Sequence, residues 1–179
     1  ERPIRLRGQS GLVGLIVPEL ENPIFPAFAQ VMETLLAQYG YTPVLCTQTP
    51  GGVSEDEYVE LLLDRGVSGI IFVSGMHADA TADHAPYRAL VDRGLPVVFV
   101  NGYAQGIDAP FVSDDDATAM DLAVTHLTSM GHRRIGLAVG PARFVPVVRK
   151  RAAFISAMAQ QTGMGEEEAS ELVSHSLFT

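Results

Sequence analysis

From residue 11 onward, short and wholly apolar runs alternate with longer stretches in which apolar residues return every three or four positions. The runs Gly11-Leu12-Val13-Gly14-Leu15-Ile16-Val17, Gly69-Ile70-Ile71-Phe72-Val73 and Pro96-Val97-Val98-Phe99-Val100 lack the apolar–polar alternation of a strand with one wet face. They predict strands covered on both sides. Strands are expected at Leu12 to Val17, Thr42 to Cys46, Gly69 to Val73, Val97 to Val100, Phe111 to Ser113 and Ile135 to Val139. Helices are expected at Ile24 to Gln38, Ser54 to Asp64, Tyr87 to Arg93, Asp115 to Met130 and Pro146 to Gln161. In the second of these, Ser54 can cap the helix and Glu57 can complete a capping box. Gly75 to Asp83 and Gly102 to Pro110 read as ordinary loops. Strands and helices in this order make parallel βαβ units, so the fold class is α/β with a doubly wound parallel sheet.

Charge narrows the partners. The chain has 12 basic and 21 acidic side chains, a formal charge of -9. That excess repels phosphate backbones, so any DNA contact must come from outside this segment. The first ten residues differ, with Arg2, Arg5 and Arg7 beside Pro3 and Gly8, and read as a linker. No apolar run reaches the roughly 18 residues that span a bilayer, and residues 1–5 lack the apolar stretch of a signal peptide. A soluble chain is expected, with no membrane partner. The single cysteine, Cys46, makes no internal disulfide and fits a buried strand in a reducing compartment.

The residues that enzyme chemistry would need are missing. No Gly-x-Gly-x-x-Gly follows the first strand, no Gly-Lys-Ser/Thr loop exists, and Gly66-Val67-Ser68-Gly69 is one residue too short for a nucleophile elbow. His77 and His84, and His126 and His132, are not at metal-ligand spacing, and four of the five histidines read as solvated. The expectation is no catalysis, no cofactor and no metal. Asp114-Asp115-Asp116 follows a strand end and opens a helix, so capping and dipole compensation explain part of the run. Ligand binding is the other reading for Asp115, because ligands of open α/β sheets sit outside the carboxyl ends of the strands.

Several segments resemble the LacI-type transcriptional regulators. Gly14-Leu15-Ile16-Val17-Pro18-Glu19-Leu20-Glu21-Asn22-Pro23-Ile24-Phe25 is similar to their first strand and following turn. Gly40-Tyr41, Val67-Ser68-Gly69-Ile70-Ile71 and Gly94-Leu95-Pro96-Val97-Val98 follow in family order. The most specific segment is His126-Leu127-Thr128-Ser129-Met130-Gly131-His132-Arg133-Arg134-Ile135-Gly136, followed by Gly140-Pro141. The resemblance implies a two-lobed fold of the periplasmic-binding-protein type I, with a small-molecule effector such as a sugar in the interlobe cleft. It divides the chain into a linker at 1–10, a first lobe at 11–134 and an incomplete second lobe at 135–179. About 45 residues cannot bury a doubly wound lobe of their own, so the last part is expected to be poorly ordered or to borrow contacts from a neighbouring copy.

The same resemblance implies the site. Phe25 matches an aromatic that stacks on effector, with core packing as its other reading; Asp115 matches an acidic residue after the fifth strand; Asn101 and Tyr103 lie just past the fourth. The second lobe of the family contributes an arginine four residues before an aromatic. Here Lys150 holds that place before Phe154, Ala153 replaces the usual glycine, and Arg149 and Arg151 flank it. A lysine offers a point charge where the family has a planar fork, and a solvated helix face is the other reading of the triplet. The partners so implied are the effector, a second copy in a homodimer, and operator DNA through a helix-turn-helix head that this segment does not contain. A cytoplasmic regulator results; the alternative is a periplasmic or secreted sugar receptor.

Overall fold

The computed structural model describes residues 10–48 and 51–177, so nearly all of the linker expected at 1–10 lies outside the described residues. In chain order the elements are β1 (Leu12–Val17), α1 (Ile24–Gln38), β2 (Thr42–Thr47), α2 (Glu55–Asp64), β3 (Gly69–Val73), a single 3-10 turn at Met76–Ala78, α3 (Ala85–Asp92), β4 (Val97–Val100), β5 (Phe111–Val112), α4 (Asp116–Ser129), β6 (Leu137–Val139), α5 (Val145–Thr162), α6 (Glu166–Glu171) and β7 (Val173–His175). The described residues form two compact units, one within 10–77 and 82–112 and the other within 78–81 and 113–177.

The first unit is a five-stranded, all-parallel sheet in the order β2-β1-β3-β4-β5. Strand periodicity sends alternate side chains to opposite faces. Leu15, Val17 and Val73 meet Phe25, Phe28, Ala29 and Met32 of α1 on one face. Ile16, Ile70, Phe72, Val97 and Phe99 meet Leu62 of α2 and Tyr87 and Leu90 of α3 on the other. Both faces are dry, which is why the strand sequences show no polar alternation. Gly14 is part of this packing: a Cβ there would lie 2.5 Å from Leu62 Cδ1, so only glycine lets α2 approach β1 this closely. Ser54 and Glu57 form the expected capping box at the start of α2.

The second unit pairs β6 with β7 in parallel and packs α4, α5 and α6 around Val124, Ile135, Phe154, Ala157, Met158 and Ala169. The chain therefore divides between Val112 and Ser113, where the sequence placed the crossing at Arg134-Ile135. The cause is α4, whose Met120, Val124 and Leu127 pack with Ile135 and α5. That helix also supplies the core that about 45 residues alone could not, in place of a neighbouring copy. Helix α6, with Glu166, Glu167 and Glu168 in its first turn, was not expected from its polar sequence.

Candidate functional site

In the first unit, polar groups collect at the carboxyl ends of the strands. The order 2-1-3-4-5 reverses its direction of growth between β1 and β3, and in such sheets the ligand crevice lies at that point. Ser74 directly follows β3, and Asn101 directly follows β4. Both have left-handed backbones, with φ of 48° and 61°. Ser74 N–H donates to Val100 O at 2.9 Å and Asn101 N–H donates to Val112 O at 2.8 Å, so the ladder continues through the residue where each strand turns. Asn101 Nδ2 donates to Ser74 Oγ at 2.6 Å. Asparagine adopts this region readily, whereas at most other residues it costs about 1–2 kcal/mol, so the strain falls on Ser74. Strain of this kind gathers where a side chain must be aimed. Both side chains are partly exposed.

Beside this pair lies a buried polar cluster. The Glu55 carboxylate accepts from Tyr87 O–H, from Gln48 Nε2 at 2.9 Å and from Met76 N–H at 3.4 Å. Burial raises its pKa from the ordinary value, against the lowering effect of these donors. His77 is wholly buried; its Nε2 bonds Val100 O at 3.0 Å, and its N–H donates to the Tyr87 hydroxyl. Desolvation lowers its pKa to about 4, so the ring is neutral near pH 7. Ser74 and Glu55 do not stand out in the sequence, and His77 falls in the stretch that reads as an ordinary loop. Nothing in the local pattern distinguishes them, because their burial comes from elements far apart in the chain.

Of the expected residues in this unit, Asn101 stands at the strand edge as placed. Phe25 packs on the Leu15, Val17 and Val73 cluster with part of its ring uncovered, so its core role is real. Tyr103 is exposed, its ring 5.1 Å from that of Phe111.

The second unit holds the others. Asp115 caps α4, accepting from Thr118 N–H at 3.0 Å and Thr118 Oγ1 at 2.7 Å, and these bonds lower its pKa. Asp116, 5% exposed, takes Lys150 Nζ at 2.6 Å. Arg149 lines an open groove of about 470 Å³ with Asp114, Asp115, Asp116, Ala117, Ala152 and Ala153. Arg151 donates to Ser170 Oγ at 2.5 Å. Lys150 and Arg151 are thus engaged with neighbouring helices and do not form a solvated face. The supposed ordinary loop 75–83 carries an unforeseen ion pair in this unit: Asp79 Oδ2 meets Arg143 Nε at 2.8 Å, and Ala80 N–H donates to Arg143 O at 2.9 Å.

A doubly wound parallel sheet that gathers polar side chains at the carboxyl ends of its strands has the layout of ligand-binding α/β domains. The chain belongs to the family described as periplasmic binding proteins and sugar binding domain of the LacI family, which it matches over residues 10–175. It is similar to the HTH-type transcriptional regulator MalR of Streptomyces coelicolor, with 60% identity over 100% of this chain and 53% of that protein. Among solved structures it is similar to the transcriptional regulator CelR–cellobiose complex, with 26% identity, a TM-score of 0.74, and 95% of this chain and 51% of that one covered. A periplasmic binding protein/LacI transcriptional regulator from Alkaliphilus metalliredigens complexed with D-xylulofuranose also matches, with 26% identity, a TM-score of 0.65, and 94% and 57% covered. The chain spans about half the length of the curated relatives it matches. Among the described residues no helix is long and apolar enough to cross a membrane.

Proposed function

We propose that this chain is the effector-sensing core of a cytoplasmic LacI-type regulator, that its effector is a small polar metabolite of the sugar class, and that Ser74 and Asn101 bind it. The observation that carries this reading is the mutually bonded Ser74–Asn101 pair, both with left-handed backbones, at the carboxyl ends of β3 and β4. The names of the relatives at about 60% identity support a regulator over a transport receptor. The cellobiose complex of CelR supports a sugar ligand. Phe25, Tyr103, Asp115, Arg149, Lys150 and Arg151 remain further candidates for effector contact, with Lys150 and Asp115 each first released from a present partner.

A homodimer is part of the same proposal. Ile24, Val31 and Leu35 on α1, with Tyr39 just past its end, are about half exposed or more, a ridge suited to a second copy. Effector acts by favouring one of two arrangements of the regulator, and operator affinity follows that population.

The experiment is calorimetric titration of the full-length regulator with a panel of sugars, paired with operator gel shifts. Sugar binding that changes operator affinity is the expected result, and Asn101→Gly, which keeps the left-handed backbone but removes the amide, should weaken that binding at least tenfold. A regulator that binds operator but responds to no sugar overturns the reading.

A further inference from the structure

The polarity of the Ser74–Asn101 pair narrows the effector class, on the premise that this pair is the binding site proposed above. Because Asn101 Nδ2 donates one of its two hydrogens to Ser74 Oγ, the serine hydroxyl proton, the second amide hydrogen and Asn101 Oδ1 are the groups left to face a ligand. The first two are donors and the third is an acceptor, so both kinds are present. A ligand hydroxyl satisfies both at once, accepting from Ser74 and donating to Asn101. A phosphate or carboxylate oxygen can only accept, and would set its charge against Asn101 Oδ1.

A second feature acts in the same direction. Gly75, the next residue after Ser74, lies against Glu55: a Cβ built on it would collide with Glu55 Oε2. Three donors converge on that carboxylate, from Tyr87, Gln48 and Met76. The ionisable group buried behind Gly75 is thus a carboxyl, negative when deprotonated. Bringing an anion beside it costs either direct repulsion or the uptake of a proton by Glu55.

From this pair and the carboxylate behind Gly75 we infer that the site reads an uncharged hydroxyl and selects neutral sugars against their phosphorylated or carboxylated forms. Selectivity follows because a ligand that cannot donate leaves Asn101 Oδ1 covered without a partner.

The test is calorimetry on the full-length regulator with ribose, glucose, maltose and cellobiose, and with ribose 5-phosphate, glucose 6-phosphate and gluconate. At least one neutral sugar should bind, with the charged compounds at least tenfold weaker. Glu55→Gln should raise the ratio of phosphorylated to neutral sugar binding threefold or more. Asn101→Asp, at a partly exposed position, should lower neutral-sugar affinity and lower sugar-phosphate affinity further, giving a readout if the Glu55 variant does not fold. A sugar phosphate that binds as tightly as its neutral counterpart overturns the inference but leaves sugar sensing intact. Binding of none of the compounds overturns both, and an unchanged ratio in both variants removes the role assigned to the pair and to Glu55.

Discussion

The first unit covers both faces of five parallel strands, whereas the second has two strands and three helices around a smaller core. Their polar interiors differ as well. In the first, Glu55, Tyr87 and His77 are buried and joined by hydrogen bonds to one another or to backbone. In the second lie the ion pairs Asp79–Arg143 and Asp116–Lys150, each with a partly exposed cation. A wide sheet can enclose titratable groups almost completely and is then exposed to their titration. A helical layer on a narrow sheet leaves its edges wet, where a long basic side chain can reach a carboxylate at small desolvation cost.

The largest test of that contrast removes an aromatic from each core. Phe99 is fully buried, stacked on Phe72 at 5.3 Å and on Phe111 at 4.8 Å between ring centres. Phe99→Ala should cost about 3–5 kcal/mol by urea unfolding, with hydrogen-exchange protection lost first from β3 and β4. Phe154→Ala should strip protection first from α4 and α5. Equal loss in both units from either variant would show that they unfold as one, and the contrast would lose its energetic meaning.

Next comes pH. His77 has a folded pKa near 4 against an ordinary 6.5, because burial disfavours its charged form. Between those values the unfolded chain takes up a proton that the folded chain refuses, so stability is full above pH 6.5 and declines as pH falls toward 4. The loss approaches about 3 kcal/mol at the acid end. Glu55 has the opposite sign: its raised pKa means that its contribution declines as pH rises above the ordinary value of 4.5. Comparing the native chain with His77→Gln isolates the histidine, and the difference between their urea midpoints should vanish its pH dependence above 6.5. A slope below pH 6.5 that survives in His77→Gln would assign it elsewhere.

The second unit should respond to its ion pair. Asp116→Ala leaves Lys150 without its carboxylate and should cost about 1–3 kcal/mol, less than a fully buried pair because the lysine side chain is 35% exposed. Protection should fall in α4 and α5 while β1, β3 and β4 keep theirs. A uniform loss would mean that the pair supports both units.

How much of this the sequence disclosed follows from where the information resides. Runs such as Gly69 to Val73 have no polar residue, and only a strand covered twice satisfies that pattern, so the sheet was legible nearly residue for residue. The boundary between units was not. Helix α4 has Ala119, Leu122 and Ala123 exposed as well as Val124 buried, so its pattern does not say which face meets a core or which unit owns it. In the candidate site, Asn101 was legible from its place past a strand. Ser74 and Glu55 were not, since a left-handed turn at serine and the burial of a helix-start acid arise from tertiary contacts. The triplet Arg149, Lys150 and Arg151 was legible as charge but not in its partners, because Asp116 and Ser170 reach it from other helices.

The smallest effect tests the most local of these readings. Ser54 caps α2 through Glu57 N–H at 3.3 Å, while Glu57 Oε2 accepts from Ser54 N–H at 2.8 Å. Both partners lie within four residues, which is why this feature was visible in sequence and owes nothing to the sheet. Ser54→Ala should therefore cost about 1 kcal/mol in urea unfolding, with exchange faster in the first turn of α2 and unchanged at the Ser74–Asn101 edge. Glu55 ties these places together, being the first residue of α2 and the carboxylate behind Gly75. If Ser54→Ala also alters the sugar response, the cap is holding Glu55 in place, and a local sequence signal has become part of the site.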